Sequence, residues 1–403
     1  MAVLTNIFGP ANLELVEDVV QDTLLQALNL WKIKGIPDKP SSWLFTVARN
    51  RAIDHIRKHK HSDSFDFTGE QHALLRSEYT ISMGLEHFWK EEIIQDQQLK
   101  MMYICCEPSL NPESQIALIL KTLCGFNTSE IAKALLTSKD TISKRLFRSK
   151  KHFRKNKTKF ELPEKIQLKD RTSQVLNAIY LLFNEGYSSS HHKDFIRQDL
   201  VENAISLTKI LFENPHTSNP ETAALLALMC FHTAREDSRL DELGAIVLLE
   251  NQDRTLWNTE LIKIGVSYLD QASSGDRISS YHLEAAIAYQ HCISPSFEET
   301  DWQSILNLYD ILYKVNPSPI IALNRVVVFE KVHGTILAKK ELQKANEAGQ
   351  LDNYYLYYSL FGSFHQNLQQ HDEALISFTK AVSLTESETE KDLIRKKIKG
   401  LKS

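Results

Sequence analysis

The stretch FNTSEIAKALLTSKDTISKRLFRSKKHFRK, residues 126–155, predicts two short helices joined by a tight turn. Asn127 or Thr128 can cap the first helix, and Glu130 is placed to close a capping box on Asn127. Ser138 can cap the second helix after a turn around residues 136–138. The apolar side chains that we expect to face inward are Ile131, Ala132, Leu135, Ile142 and Leu146, with Phe147 as a further candidate.

The other face of the second helix is strongly basic. Residues 121–160 hold twelve Lys or Arg side chains and two acidic ones, a net charge of +10 in a chain whose total is −4. A major groove admits one helix, where Arg and Lys donate to base edges and to phosphates. The pattern predicts a DNA-binding helix-turn-helix, and the alternative is a solvated basic face that binds nothing. The candidate DNA-binding residues are Lys139, Ser143, Lys144, Arg145 and Arg148.

Length and composition limit the class of protein. A chain of 403 residues is too long for one ordinary core, so two or more domains are expected. Apolar residues make up 42% and Gly and Pro are scarce, which favours a globular all-helical chain. No apolar run is long enough to span a bilayer, no secretory signal is evident, and five cysteines form no CxxC pair. We therefore expect a cytoplasmic protein with reduced thiols and no metal or cofactor.

A second helical block lies near the N-terminus. The stretch VEDVVQDTLLQALNLW (16–31) has apolar residues close to the helical period, at Val16, Val19, Val20, Leu24, Ala27 and Leu28. Acidic and amide side chains gather largely on one polar surface, and they include Asp18, Gln21 and Asp22 beside Glu14 and Glu17. Such a surface is either plain solvent-facing helix or a binding face.

The segment GIPDKPSS (35–42) is expected to be a loop, followed by a helix from about Ser42 through Lys60. That helix interleaves basic and aromatic side chains. Cations can hold phosphates, and aromatic rings can receive unstacked bases, although Trp43 and Phe45 could equally anchor the core. The candidate DNA-binding residues here are Arg49, Asn50, Arg51, Arg57 and Lys58.

The chain from about 170 to 400 is expected to be a string of helices whose end repeats. Ala374, Phe378 and Ala381 fit the second helix of a tetratricopeptide unit, with Tyr358, Phe361 and Gly362 in the first. A weaker copy uses Ala338, Leu342 and Ala345 after Ala322 and Val326. A second set of residues suggests either a buried polar network or a ligand site: the motif FNEGY (183–187), Glu250, Asp253, Arg254, Asp301 and Arg325. No nucleophile with its base, phosphate loop or metal cluster stands out, so no enzyme is expected.

The two N-terminal blocks, in this order, resemble the extracytoplasmic-function type of bacterial sigma factors. VEDVVQDTLLQAL looks like region 2.2 of that family, WLFTVARNRAIDHIRK like regions 2.3 and 2.4, and the helix-turn-helix at 126–151 like region 4. The remainder resembles the sub-group with a tetratricopeptide-like C-terminal extension, through YLLFNEGYSSS, LLENQDRTLWN, TDW and SPIIALNRVVV. Members of the family usually begin with another helix before the position of Met1 here.

The resemblance implies residue roles and partners. Asp18, Gln21 and Asp22 would contact RNA polymerase core, at the clamp helices of its largest subunit. Loop 35–42 and the helix after it would open and read the minus-ten promoter element, and Ser143, Lys144, Arg145 and Arg148 would read the minus-thirty-five element. The C-terminal repeats would bind a protein partner or modulate the sigma modules, and no membrane partner is expected.

The sequence thus predicts an all-α protein with two small sigma-type helical domains, the second with a helix-turn-helix, followed by a helical tetratricopeptide-like repeat domain. The expected boundaries are 1–62 for region 2, 63–94 for a linker, 95–160 for region 4 and 165–403 for the C-terminal domain. Two other functions are compatible with parts of the chain: a helix-turn-helix regulator with a repeat sensor domain, and a scaffold whose basic helix is incidental.

Overall fold

The computed structural model describes residues 1–59, 91–135, 137–187, 196–242, 244–347, 349–385 and 387–401. Over these residues the chain forms eighteen α-helices and four short 3-10 turns, with no extended strand. The expected all-α fold is therefore confirmed. None of the described helices is long and apolar enough to cross a membrane. The described chain divides into two compact units, residues 1–182 with 213–217 and residues 183–212 with 218–403.

The first unit contains seven complete helices and most of an eighth. They are α1 (Ala2–Phe8), α2 (Leu13–Lys34), α3 (Pro40–His59), α4 (Glu91–Cys105), α5 (Pro112–Thr122), α6 (Thr128–Ala134), α7 (Lys139–Asn156) and α8 (Lys165–Tyr187). A 3-10 turn, Pro10–Asn12, joins α1 to α2.

The core of the N-terminal block forms between α1, α2 and α3. Val3, Leu4, Ile7 and Phe8 of α1 pack with Val16 and Val19 of α2 and with Ala48 and Ala52 of α3. Helix α3 begins at Pro40, two residues before the expected start, because proline is tolerated in the first turn of a helix. The loop between α2 and α3 is correspondingly shorter than the predicted 35–42.

Part of the apolar pattern in α2 is not core. Val16, Val19 and Ala27 are buried as expected, but Leu24 and Leu28 are 48% and 68% exposed. The two leucines therefore share the helical period of the apolar residues but lie outside the buried stripe of α2. Helical periodicity identifies residues that share a face, but it does not say which partner covers the face.

The second block of unit 1 is built around α4, whose C-terminal residues are almost fully buried. Tyr103 donates or accepts a 2.5 Å hydrogen bond with Thr172 of α8, and Arg171 of α8 lies 3.4 Å from Glu107. Helix α8 therefore completes this block beyond the predicted boundary region around residue 160. Burial raises the pKa of the Cys105 thiol to about 12, so that thiol is protonated and unreactive. All five cysteines are free.

The second unit continues from the end of α8 as a succession of helices. They are α9 (Gln198–Glu213), α10 (Pro220–Thr233), α11 (Thr259–Ala272), α12 (Ser280–Ile293), α13 (Trp302–Val315), α14 (Pro319–His333), α15 (Thr335–Ala345), α16 (Tyr355–Asn367), α17 (His371–Leu384) and α18 (Glu388–Gly400). Between α10 and α11 the chain makes 3-10 turns at Glu236–Ser238, Leu249–Asn251 and Arg254–Leu256.

The helix pair at the end of the second unit packs through the predicted small and large residues. Ala374, Phe378 and Ala381 of α17 are fully buried, and a Cβ on Gly362 of α16 would lie 2.5 Å from the Phe378 ring. Glycine therefore allows the two helices to approach closely. Ala338 and Leu342 of α15 are buried against Leu323 and Val326 of α14. The assignment of these pairs as tetratricopeptide-like repeats stays a prediction.

Candidate nucleic-acid interface

The helix-turn-helix forms from local hydrogen bonds that the sequence predicts. Asn127 Oδ1 accepts from the backbone N–H groups of Ser129 and Glu130 at 2.9 and 3.0 Å, while Glu130 Oε2 accepts from the N–H of Asn127 at 2.7 Å. This reciprocal capping box starts α6. Ser138 Oγ accepts from the N–H of Thr141 at 3.1 Å and caps α7. Both predicted caps are confirmed.

The underside of α7 is apolar and seats the helix on unit 1. Ile142, Leu146 and Phe153 are at most 6% exposed. Phe147, a further candidate for the core, is 61% exposed, so that expectation is wrong. Positions 142, 146 and 153 fall on one helical stripe, whereas residue 147 lies about 100° around the helix from residue 146. The same spacing could have identified Phe153, which was not among the predicted inward-facing residues.

The N-terminal half of α7 presents its polar face to solvent. Lys139, Ser143, Lys144 and Arg148 are exposed, and Arg145 is half-buried. Lys144 makes a 2.6 Å ion pair with Asp140 one turn earlier, and Ser143 Oγ donates to the Lys139 carbonyl at 2.9 Å. Both contacts are formed within α7, so they leave this face of the helix accessible to a groove of duplex DNA.

The C-terminal half of α7 contacts α2 through two ion pairs. Lys150 Nζ lies 2.8 Å from Glu17 Oε2, and both side chains are only 15% exposed. Arg154 lies 3.1 Å from Glu14, and both of these side chains are more than half exposed. The paired residues are 133 and 140 positions apart in the sequence, so no local pattern could have paired them.

The predicted polymerase-contacting residues of α2 have different environments. Asp18 and Gln21 are exposed. Asp22 makes a 3.0 Å ion pair with Arg51 of α3, which also donates to Gln26 at 3.0 Å. Asp22 was predicted to contact polymerase and Arg51 to contact DNA, but the two side chains bond to each other in this structure.

An exposed apolar surface lies next to Asp18 and Gln21 on α2. It consists of Leu24, Leu25 and Leu28, which are 48%, 57% and 68% exposed, and we call it the leucine patch. Large apolar side chains grouped on a surface and bordered by polar ones mark protein–protein contact sites. The spacing could have shown this, because Leu24, Leu25 and Leu28 lie about 80–180° around the helix from Val16, while Val19 and Ala27 lie close to the side of Val16.

The candidate residues of α3 are partly described. Asn50 is exposed and Arg49 is half-buried. Trp43 is half-buried and packs against Trp31 with ring centroids 5.5 Å apart, whereas Phe45 is 39% exposed. The side chains of Arg57 and Lys58 lie outside the described residues.

The two N-terminal helical blocks match models of known protein families. Sigma-70 region 2 matches residues 4–62, and sigma-70 region 4 matches residues 101–153. A family of unknown function, DUF6596, matches residues 171–273. An uncharacterized protein of Rhizobium meliloti (strain 1021) is 32% identical over 392 residues, which cover 97% of this chain and 90% of that protein. No solved structure matches the chain.

The two sigma-70 matches fall, in order, on the helices that carry the resemblance. The chain belongs to the extracytoplasmic-function type of bacterial sigma factors, with a C-terminal extension. Region 2 of this sigma factor contains α1 to α3, and region 4 contains the helix-turn-helix of α6 and α7. The extension begins within α8 and includes a stretch that matches DUF6596.

We predict that the ion pair between Lys150 and Glu17 couples region 2 to region 4 of this sigma factor in the free protein. A double-mutant cycle with Glu17→Gln and Lys150→Gln should give an interaction energy of about 1–3 kcal/mol in denaturant unfolding, because both groups are largely removed from water. The matched cycle Glu14→Gln with Arg154→Gln should give less than about 1 kcal/mol, because that pair is exposed. Equal energies for the two pairs would contradict this prediction.

Proposed function

We propose that this sigma factor directs RNA polymerase core to specific promoters by placing α7 in the major groove of the minus-thirty-five element. The observation that carries the proposal is the division of α7 into two faces. Its apolar face is buried in unit 1, and its N-terminal basic face is open to solvent. A helix anchored in this way can present side chains to base edges without losing its own packing.

Within that face we assign base-edge contacts to the side chains that project furthest into solvent. Arg148 is exposed, and Arg145 is half-buried. A guanidinium can donate two parallel hydrogen bonds to guanine O6 and N7. Lys139, Ser143 and Lys144 lie about one to two and a half turns before Arg148 and would hold phosphates or contact neighbouring bases.

We assign the minus-ten element to α3. Asn50 is exposed and can hydrogen-bond an unstacked base, and Arg49 supplies positive charge beside it. Phe45 is the more accessible of the two aromatic candidates, because Trp43 packs against Trp31. Arg51 would have to leave Asp22 and Gln26 before it could contact DNA.

We assign polymerase binding to α2, through the leucine patch together with Asp18 and Gln21. The apolar side chains would supply the buried centre of an interface, and the exposed polar side chains would supply its rim. Asp22 contributes less in this proposal than the sequence suggested, since its carboxylate already pairs with Arg51.

The ion pairs between α2 and α7 then have a consequence for initiation. Promoter elements at minus ten and minus thirty-five are separated by more than two turns of duplex, about 80 Å. Residues 143 to 148 lie within about two helical turns of Lys150, which is held at 2.8 Å from Glu17 of region 2. We infer that region 4 must leave α2 before both elements can be bound, and that polymerase core drives this separation by competing for α2.

The C-terminal extension is proposed to modulate the sigma modules or to bind a protein partner. The support is its size and construction. The second unit is a long series of packed helices, a type of scaffold that presents extended binding surfaces. A chain that ends after Leu182 would keep the part of α8 that belongs to unit 1, and it is the appropriate truncation for examining this role.

The function is tested by adding the purified protein to RNA polymerase core without other factors. We expect initiation at promoters that share a motif at minus thirty-five. Arg148→Ala should weaken binding to that motif by about 1–3 kcal/mol and relax specificity at one position. Lys155→Ala, at the far end of the same helix, should weaken binding less and leave specificity unchanged. Failure to initiate from core alone would indicate a conventional helix-turn-helix regulator.

The polymerase-binding assignment makes a separate prediction. Leu28→Ser should lower affinity for core polymerase by at least tenfold, because the substitution removes an apolar side chain from the centre of the proposed interface. It should leave the melting temperature of the free protein almost unchanged, because Leu28 is 68% exposed. Ile376→Ser is the matched control, since Ile376 is 71% exposed and lies in the second unit. Equal polymerase affinity of the two variants would remove the leucine patch from the interface.

A further inference from the structure

The buried polar atoms that lack a hydrogen-bond partner in the second unit are concentrated in one place. Among the described residues of that unit they are His232 Nδ1, Thr233 Oγ1, Arg254 Nη2 and His291 Nδ1. His232 and Thr233 end α10, Arg254 begins a 3-10 turn, and His291 lies near the end of α12. Buried polar groups in folded proteins are nearly always paired, so such a concentration needs an explanation.

Aromatic side chains hold this group of residues together. The guanidiniums of Arg235 and Arg254 lie 5.2 and 4.7 Å from the centroid of the same indole, that of Trp257. The Trp257 indole N–H donates to Ser238 Oγ at 2.9 Å, which fixes the ring. The Tyr187 ring lies 4.8 Å from the ring of His232, and the Trp302 ring lies 5.6 Å from that of His291.

The guanidiniums of this group are bound by neutral acceptors. Arg235 donates to Gln252 Oε1 at 3.2 Å, and Arg254 donates to the carbonyl oxygens of His291, at 2.7 Å, and of Ser294. Within the described part of the chain, neither guanidinium forms an ion pair with a carboxylate. The carboxylate that acts electrostatically on Arg254 is that of Glu298, which is exposed. Two partly buried positive charges therefore lie close together without a bonded counter-charge, an arrangement that costs free energy.

The neighbouring imidazoles respond to this environment. Burial lowers the pKa of His232 to about 3, assisted by the charges of Arg235 and Arg239 and by His291. Burial also lowers the pKa of His291 to about 4, assisted by Arg235 and Arg254. Both imidazoles are therefore neutral near pH 7, and each can donate one N–H without adding charge.

We propose that His232, Arg235, Arg254 and His291, which we call the arginine–histidine centre, bind a small oxyanion, that is, a phosphate or carboxylate group. The ligand would accept from Arg254 Nη2 and from the imidazole N–H groups, and its charge would compensate the two guanidiniums. Arginine suits such a ligand because its planar fork matches the spacing of two oxygens. The bound oxyanion would link α10, the 3-10 turn at Arg254 and α12, so it would stabilise the second unit. The proposal concerns that unit alone and does not rest on the sigma function.

The full-length protein tests the proposal by thermal unfolding at constant ionic strength and neutral pH. Inorganic phosphate, sulfate and acetate are titrated separately, with chloride as the control anion. At least one of the three oxyanions should raise the melting temperature saturably, by about 5 °C at a hundredfold excess over its Kd. Phosphate or sulfate acting alone would identify a phosphate-type ligand, and acetate acting alone a carboxylate.

The variant Arg254→Gln should lose this rise, whereas Arg277→Gln, which changes an exposed arginine of the same unit, should keep it. If Arg254→Gln does not fold, histidine NMR of the unsubstituted protein still decides the question. A bound oxyanion favours the imidazolium, so the oxyanion should raise the pKa of His232 and His291 by at least one unit. No rise in melting temperature with any oxyanion, an equal rise in Arg254→Gln, or unchanged histidine titration would overturn the proposal.

Discussion

The arrangement of the first unit depends on α7, whose surface has three parts with different surroundings. Its apolar stripe packs into the helix-turn-helix, its N-terminal basic face is open, and its C-terminal basic side chains pair with acidic residues of α2. The pair between Lys150 and Glu17 matters most, because both side chains are largely withdrawn from water. Removal of either charge would leave the other charge buried without a partner. One helix thus connects the proposed DNA-reading face to the proposed polymerase-binding helix.

This connection gives a physical reason for the free protein to differ from the initiating complex. Lys150 and Arg154, the basic side chains that contact α2, are already paired with carboxylates of the same chain. In the free protein they are therefore engaged by the protein itself and do not bind DNA phosphates. Polymerase binding at the leucine patch would place a large partner beside Glu14 and Glu17, and it would alter the surroundings of both ion pairs. The leucine patch and the two acidic residues of the ion pairs lie about two turns apart on one helix, so polymerase binding at one would affect the other.

The features that sequence predicted well are those that depend on neighbours in the chain. The capping box of Asn127 and Glu130 and the cap of Ser138 need only three or four residues, and both form as expected. The errors concern burial. Phe147 is exposed although it was a candidate for the core, and Leu24 and Leu28, for which no burial was predicted, are exposed although they are apolar, because burial depends on which helix packs alongside. The pair between Lys150 and Glu17 joins residues 133 positions apart, and nothing local could indicate it.

The second unit shows the same distinction. The sequence grouped the FNEGY motif and Arg254 as part of one buried polar network or ligand site, and Tyr187 does lie against His232 near Arg235. Two other members have separate contacts: Asp301 caps α13 through Ser304, and Arg325 pairs with Asp310 and Glu341. His232 and His291, which complete the arginine–histidine centre, carried no recognisable motif, because two single histidines 59 positions apart acquire meaning only when α10 and α12 pack together.

The central claim is that α7 contacts α2 in the free protein and leaves it to reach promoter DNA. Distance measurement by pulsed electron spin resonance tests this most directly, with labels at the exposed positions 29 on α2 and 155 on α7. The account predicts one well-defined distance in the free protein and an increase of tens of ångströms when core polymerase and promoter DNA are added. An unchanged distance in a complex that is synthesising transcripts would contradict it.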